Sequence, residues 1–200
     1  MIEVYAQNFE GIWFAVALNG GHIVVSTFNN QEQAAVSNIL ANLPFNAPFQ
    51  VLHTPTRTAK TALTTLKEIY DGKDTNTKLP LVTAHLPAYT KKVLKATLAI
   101  PVGYVTSYGA IADAVGGGAR AVGNAMACNL FPPIVPCHRV VKSDLTLGGY
   151  GAGGLKVKMD FLKREQRGYT ETKNIPLQGG VLKVYPVDYV LRKLEAYNFA

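Results

Sequence analysis

Polar and apolar positions along the chain alternate between two periods. The stretch "GIWFAVALNGGHIVVSTF", residues 11–28, holds two apolar runs joined by Asn19-Gly20-Gly21. Those turn residues tolerate positive φ, so the pattern predicts a β-hairpin. "NNQEQAAVSNILAN" (29–42) predicts a helix capped by Asn29 or Asn30, with Pro44 beyond its end. "FQVLHT" (49–54) is a candidate strand, and "TAKTALTTLKEIYDG" (58–72) has helical spacing up to Asp71-Gly72. The polar stretch 71–80 then predicts a linker or exposed loop.

The second half has a different texture. "AYTKKVLKATLAI" (88–100) predicts an amphipathic helix ending before a Pro101-Val102-Gly103 turn. "VTSYGAIADAVGGGARAVGNAMACN" (105–129) predicts a short helix capped by Thr106 or Ser107, a glycine break, and a second helix from Ala119. Two short helices about a glycine turn outline a helix-turn-helix. In the second helix Ala119, Gly123 and Ala127 share one face, nearly bare of side chains. Such a face suits tight packing on another helix, or close approach to a DNA groove; Arg120 beside it favours the groove. A glycine-rich loop, "LGGYGAGG" (147–154), leads into the helix "LKVKMDFLKREQ" (155–166). A strand "GGVLKVYP" (179–186) and a helix "VDYVLRKLEAYN" (187–198) close the chain.

Composition bounds this picture. The 200 residues are 48% hydrophobic and 16% charged, as for one sizeable domain or two small ones. No apolar run reaches bilayer length and the start lacks a basic segment, so a cytoplasmic protein without a signal peptide is expected. Two cysteines make no disulfide framework. Charge is uneven: residues 1–84 carry 5 Lys/Arg against 6 Asp/Glu, and residues 85–200 carry 15 against 7. A basic half on a neutral half suits an anionic partner, most often nucleic acid.

The chemistry concentrates in "IVPCHRVV", residues 134–141. Cys137 has no Cys-x-x-Cys partner and lies nine residues from Cys128, which argues against a metal ligand. On a strand, His138 would point away from the thiol and reach it only through a bend or a water. Packing and a thiolate kept low in pKa by nearby positive charge both remain open on this stretch alone.

The order of motifs is more specific. "IPVGYVTSYGAIADAVG", "ARAVGNAMACN", "PCHRVV" and the glycine loop with Lys158 and Glu165 closely resemble the O6-alkylguanine-DNA alkyltransferases. The resemblance runs from Tyr89 to Glu165. It implies a ribonuclease-H-like α/β domain at 1–84, a mostly α DNA-binding and alkyltransferase domain with a winged-helix-like helix-turn-helix at 85–169, and an extension at 170–200. It implies that Cys137 accepts an alkyl group, that His138 (through a water) and Glu165 take its proton, and that Tyr108 donates to guanine N3. Arg120 would enter the base stack, and Asn129 would tie the DNA-reading helix to the cysteine segment. Ala119, Ala121, Gly123 and Ser107 would lie against DNA. The base pocket would use Tyr108, Val140, Tyr150 and an amide of Gly151 or Ala152, with the carbonyls of Cys137 and Val140 facing the exocyclic amine. The loop is one residue longer than in many relatives and lacks their serine. The implied partner is double-stranded DNA containing O6-alkylguanine, met by a monomer with no cofactor, metal or membrane. A lesion sensor of this kind lacks the acceptor cysteine, and a transcription regulator would leave "PCHR" and Glu165 without a role.

Overall fold

The structure, a computed structural model, describes residues 1–198. These form two compact units: residues 1–85 with 130–134, and residues 86–129 with 135 onward.

The first unit is built on a four-stranded sheet. β1 (Ile2–Phe9), β2 (Ile12–Asn19) and β3 (His22–Asn29) are antiparallel neighbours, and β4 (Phe49–Leu52) runs parallel to β1. The order is β3-β2-β1-β4. Gly20 and Gly21 take φ of 55° and 79°, as the expected β2–β3 turn requires. α1 (Glu32–Ala41) buries Ala35 and Ile39 against Ile2, Val4, Ala15, Ala17, Val24 and Val25. Its N-cap is Gln31 rather than Asn29 or Asn30, because the Asn29 side chain accepts from the Gln31 N–H and closes the preceding turn. α2 (Arg57–Tyr70) starts on Thr56, whose hydroxyl accepts from the Ala59 N–H. Residues 130–134 attach to this unit through Ser26, which donates to Leu130 O and Pro132 O.

The second unit combines helices with the sheet β6-β5-β8-β7. α3 (Ala88–Leu98) precedes β5 (Tyr104–Ser107), which runs directly into α4 (Tyr108–Val115). Ser107 caps α4 by accepting from the Ala110 N–H at 3.0 Å, a bond worth about 1 kcal/mol. Gly116 and Gly117, at φ of 88° and 92°, turn the chain into α5 (Ala119–Ala127). β6 (Val140–Val141) pairs parallel to β5, and α6 (Gly154–Arg164) follows the glycine-rich loop.

Residues 170–198 pack within this unit. β7 (Lys173–Leu177) and β8 (Gly180–Pro186) form a hairpin, β8 pairs with β5, and α7 (Val187–Asn198) follows. Among the described residues, no helix is long and apolar enough to cross a membrane.

Candidate active site

Cys137 does not sit on a strand. Residues Cys137–Arg139 form one turn of 3-10 helix, closed by the Arg139 N–H on Pro136 O at 2.9 Å. Successive side chains on such a turn diverge by about 120°, so the opposed arrangement expected for neighbouring strand residues does not apply. The turn leaves Cys137 partly exposed and buries His138 and Arg139.

Behind the thiol lies a closed ionic network. Glu165, at the C-cap of α6, is fully buried, and its Oε1 lies 2.8 Å from His138 Nε2. Arg139 Nε donates to Oε2 at 2.9 Å, its Nη2 donates to Oε1 at 2.9 Å, and its Nη1 donates to Ile100 O. Burial alone would push the Glu165 carboxyl up; the Arg139 charge and the hydrogen bonds of His138 and Arg139 outweigh it and hold the group well below the ordinary carboxylate range. Glu165 is therefore an acceptor only. Burial pushes the His138 ring below its ordinary value, against the pull of Glu165, which keeps the ring neutral. A neutral ring that bonds an ionised carboxylate through Nε2 carries its proton there, which leaves a lone pair on Nδ1. Nδ1 is buried and makes no hydrogen bond to the protein. The ring stacks on Phe161, with centroids 4.3 Å apart, and meets Tyr150 edge-on.

The thiol is held from the other side by Asn129, just beyond α5. Its amide donates to Val135 O at 3.1 Å and to Cys137 Sγ at 3.2 Å. Of the two readings left open for Cys137, the resting thiol is not the one kept low in pKa. Burial raises it, and the Asn129 N–H and the Lys158 charge recover only part of that rise.

Lys158 was named among the residues of the resemblance but given no role. Its ammonium is buried on α6 and donates to Val140 O at 2.6 Å and Gly149 O at 3.1 Å, joining β6 to the glycine loop. Burial lowers its pKa to about 8, against the upward pull of Cys137. The signal was its position three residues before Phe161 and four before Leu162, on the buried face of α6. Arg139 was likewise quoted without a role. Val140 O, expected to face a guanine amine, already accepts from Lys158.

The remaining residues fall into two groups. Tyr108, at the start of α4, is half-buried; burial raises its pKa and Cys137 adds to the rise. Its ring lies 3.1 Å from where a Cβ on Gly148 would stand. Tyr150, Gly151 and Ala152 lie on the same loop, with Gly151 exposed. On α5, Ala119, Arg120 and Ala127 are exposed, and Ala121 and Gly123 are partly so. A Cβ on Gly123 would meet no atom within 4 Å, so the bare face is open and does not pack on another helix. Ser107 is buried with its hydroxyl on the α4 cap.

The structure thus defines a two-domain α/β protein whose second unit sets a partly exposed thiol against a buried histidine–carboxylate–guanidinium network. Residues 88–167 match the model of the 6-O-methylguanine DNA methyltransferase DNA-binding domain. The methylated-DNA–protein-cysteine methyltransferase of Pyrobaculum aerophilum is 53% identical over 74 residues, 37% of this chain and 49% of that protein. The enzyme of the same name from Methanothermobacter thermautotrophicus is 33% identical over 112 residues, 56% of this chain and 63% of its own length. The chain therefore spans about half to under two thirds of these curated relatives. The crystal structure of Mycobacterium tuberculosis OGT in complex with DNA superposes with a TM-score of 0.65 at 26% identity, covering 82% of this chain and 92% of that one.

Proposed function

We propose that the protein repairs O6-alkylguanine in duplex DNA by moving the alkyl group irreversibly onto Cys137. The observation that carries this reading is the buried lone pair on His138 Nδ1, held by an ionised Glu165, one residue from a thiol whose pKa is raised. A thiol raised by burial needs a base at the moment of reaction, and the His138–Glu165 pair supplies one, through a bridging water. The Sγ electron pair then forms the S–C bond while the C–O6 bond breaks. Tyr108 donates a hydrogen bond to guanine N3, and the proton taken from the thiol by His138 is returned through this pocket to the departing guanine, so the base leaves neutral. The thioether has no residue to reverse it, and each molecule acts once.

The target carbon is hidden in a stacked duplex and must be flipped out, which costs a few kcal/mol. α4 and α5 serve as a helix-turn-helix, with Ala119, Ala121 and Gly123 as the smooth face against the groove. Arg120 takes the place of the flipped base. Ser107 contributes by setting the start of α4 against the backbone. Tyr150 and the amides of Gly151 and Ala152 close the pocket, and Val140 offers its remaining carbonyl lone pair. Asn129 couples the helix to the thiol. The strand order β3-β2-β1-β4 with intervening helices supports a ribonuclease-H-like first unit, and β7–β8 beside β5 a winged second one. The reading places the protein in the cytoplasm as a monomer.

Incubation with duplex carrying O6-methylguanine labelled in the methyl group tests it. Label should move to protein at one equivalent; a protein that binds the duplex and leaves the label on DNA would contradict the reading.

A further inference from the structure

The loop between β6 and α6 bears the proposed base pocket, and its conformation is held both by its own hydrogen bonds and by contacts from the far end of the chain. Its first turn is tight: the Leu145 N–H donates to Lys142 O, the Lys142 N–H to Thr146 O, and Asp144 Oδ1 accepts from the Thr146 N–H and hydroxyl. This turn places Leu145 at φ of 63°, a conformation that leucine adopts only under constraint. A second constraint, beyond the turn's own hydrogen bonds, comes from the far end of the chain. Leu147 is buried in a cluster with Val187, Val190 and Leu191 of α7, and Leu145 and Leu194 pack against the same cluster. Lys193 Nζ, also on α7, donates to Asp144 O, the residue before the strained leucine. Leu194 further walls a cleft of about 470 Å³ with Leu147, Gly148, Gly149 and Tyr150. At its other end the loop meets the reaction machinery, through Gly148 against the Tyr108 ring and Gly149 O on Lys158.

We infer that α7 is a clamp that holds the base-pocket loop in register, with Lys193 and Leu194 as positioning residues for the guanine. This rests on the alkyl-transfer reading and extends it to a helix outside the family-matched segment 88–167. Loss of the clamp lets Leu145 relax to negative φ and shifts the chain ahead of Gly148 and Tyr150. Cys137, His138 and Glu165, fixed by the 3-10 turn and α6, stay in place. Binding of the base should weaken while the rate of the bound complex holds.

The test uses full-length protein and free O6-benzylguanine, which needs no flipping. Lys193→Met keeps the aliphatic stem and removes the donor; Leu194→Ala removes the wall. Each should raise the half-saturating concentration about fivefold, with the saturated rate and its pH profile unchanged and affinity for undamaged duplex unaltered. Lys193→Arg and Leu194→Met should restore it. A purely structural role would lower the melting temperature and the active fraction without moving half-saturation in the folded fraction. If Leu194→Ala does not fold, partly exposed Lys193 alone decides. Unchanged half-saturation in variants of an active protein overturns the clamp. A wild-type protein that never gains benzyl overturns the alkyl-transfer reading.

Discussion

Glu165 carries two loads at once. It orients His138 and neutralises Arg139, both buried with it. Its pKa is held well below the ordinary value of 4.5, so its ionised form contributes to folding. Because its folded pKa is depressed, that contribution is complete above about 4.5 and is lost as pH falls towards about 2. Glu165→Gln should therefore lower stability at neutral pH by about 3 kcal/mol, since it leaves the Arg139 charge buried without its counter-charge. Its acid unfolding should lack the wild-type slope in that window, as followed by denaturant titration at successive pH values. The pH–rate profile for alkyl transfer should also move upward, because the imidazole loses the carboxylate that favours its protonated form. An unchanged profile would remove Glu165 from the relay. The resemblance pointed to this glutamate, while its bidentate hold on Arg139 was not legible, because the two residues are 26 apart in sequence.

At the scale of elements, the role proposed for α5 against DNA can be separated from its contribution to stability. Gly123 has ordinary backbone geometry and open space where a Cβ would project. Gly123→Ala should stabilise the protein by about 0.5–1 kcal/mol through helix propensity, seen as a higher melting temperature. Gly123→Leu should leave the fold intact and weaken duplex binding by about tenfold or more, because the helix no longer lies close to the groove. Equal DNA affinity for the two variants would show that this face does not meet DNA. The helices and the β2–β3 hairpin were legible because their periodicity and their glycine stops agree. β1, β5 and β7 were not. β1 is broken by Glu3, Gln7 and Asn8; β5 has only four residues; and β7 is an edge strand containing Pro176, whose pairing is set by β8 rather than by its own pattern. The 3-10 turn at Cys137 was read as extended because "IVPCHRVV" is rich in β-branched residues, and the Arg139 N–H on Pro136 O overrides that preference.

Over the whole molecule, the basic excess lies in the unit that bears the thiol: 15 Lys/Arg against 7 Asp/Glu from residue 85 onward. The open helix face offers few groups to read bases, so phosphate contacts should dominate affinity. The log of the duplex binding constant should fall linearly with log salt, with a slope of about −3 or steeper, and should vary little with sequence. A flat dependence would detach the basic unit from DNA. The central claim is narrower: one alkyl group, one molecule, one sulfur. It is tested most directly by intact-mass and peptide-mass measurement after incubation with O6-methylguanine duplex. The account predicts a gain of a single methyl per chain, confined to the peptide containing Cys137 and absent from Cys137→Ala. Methyl on the exposed Cys128 instead, or no gain in mass at all, would contradict it.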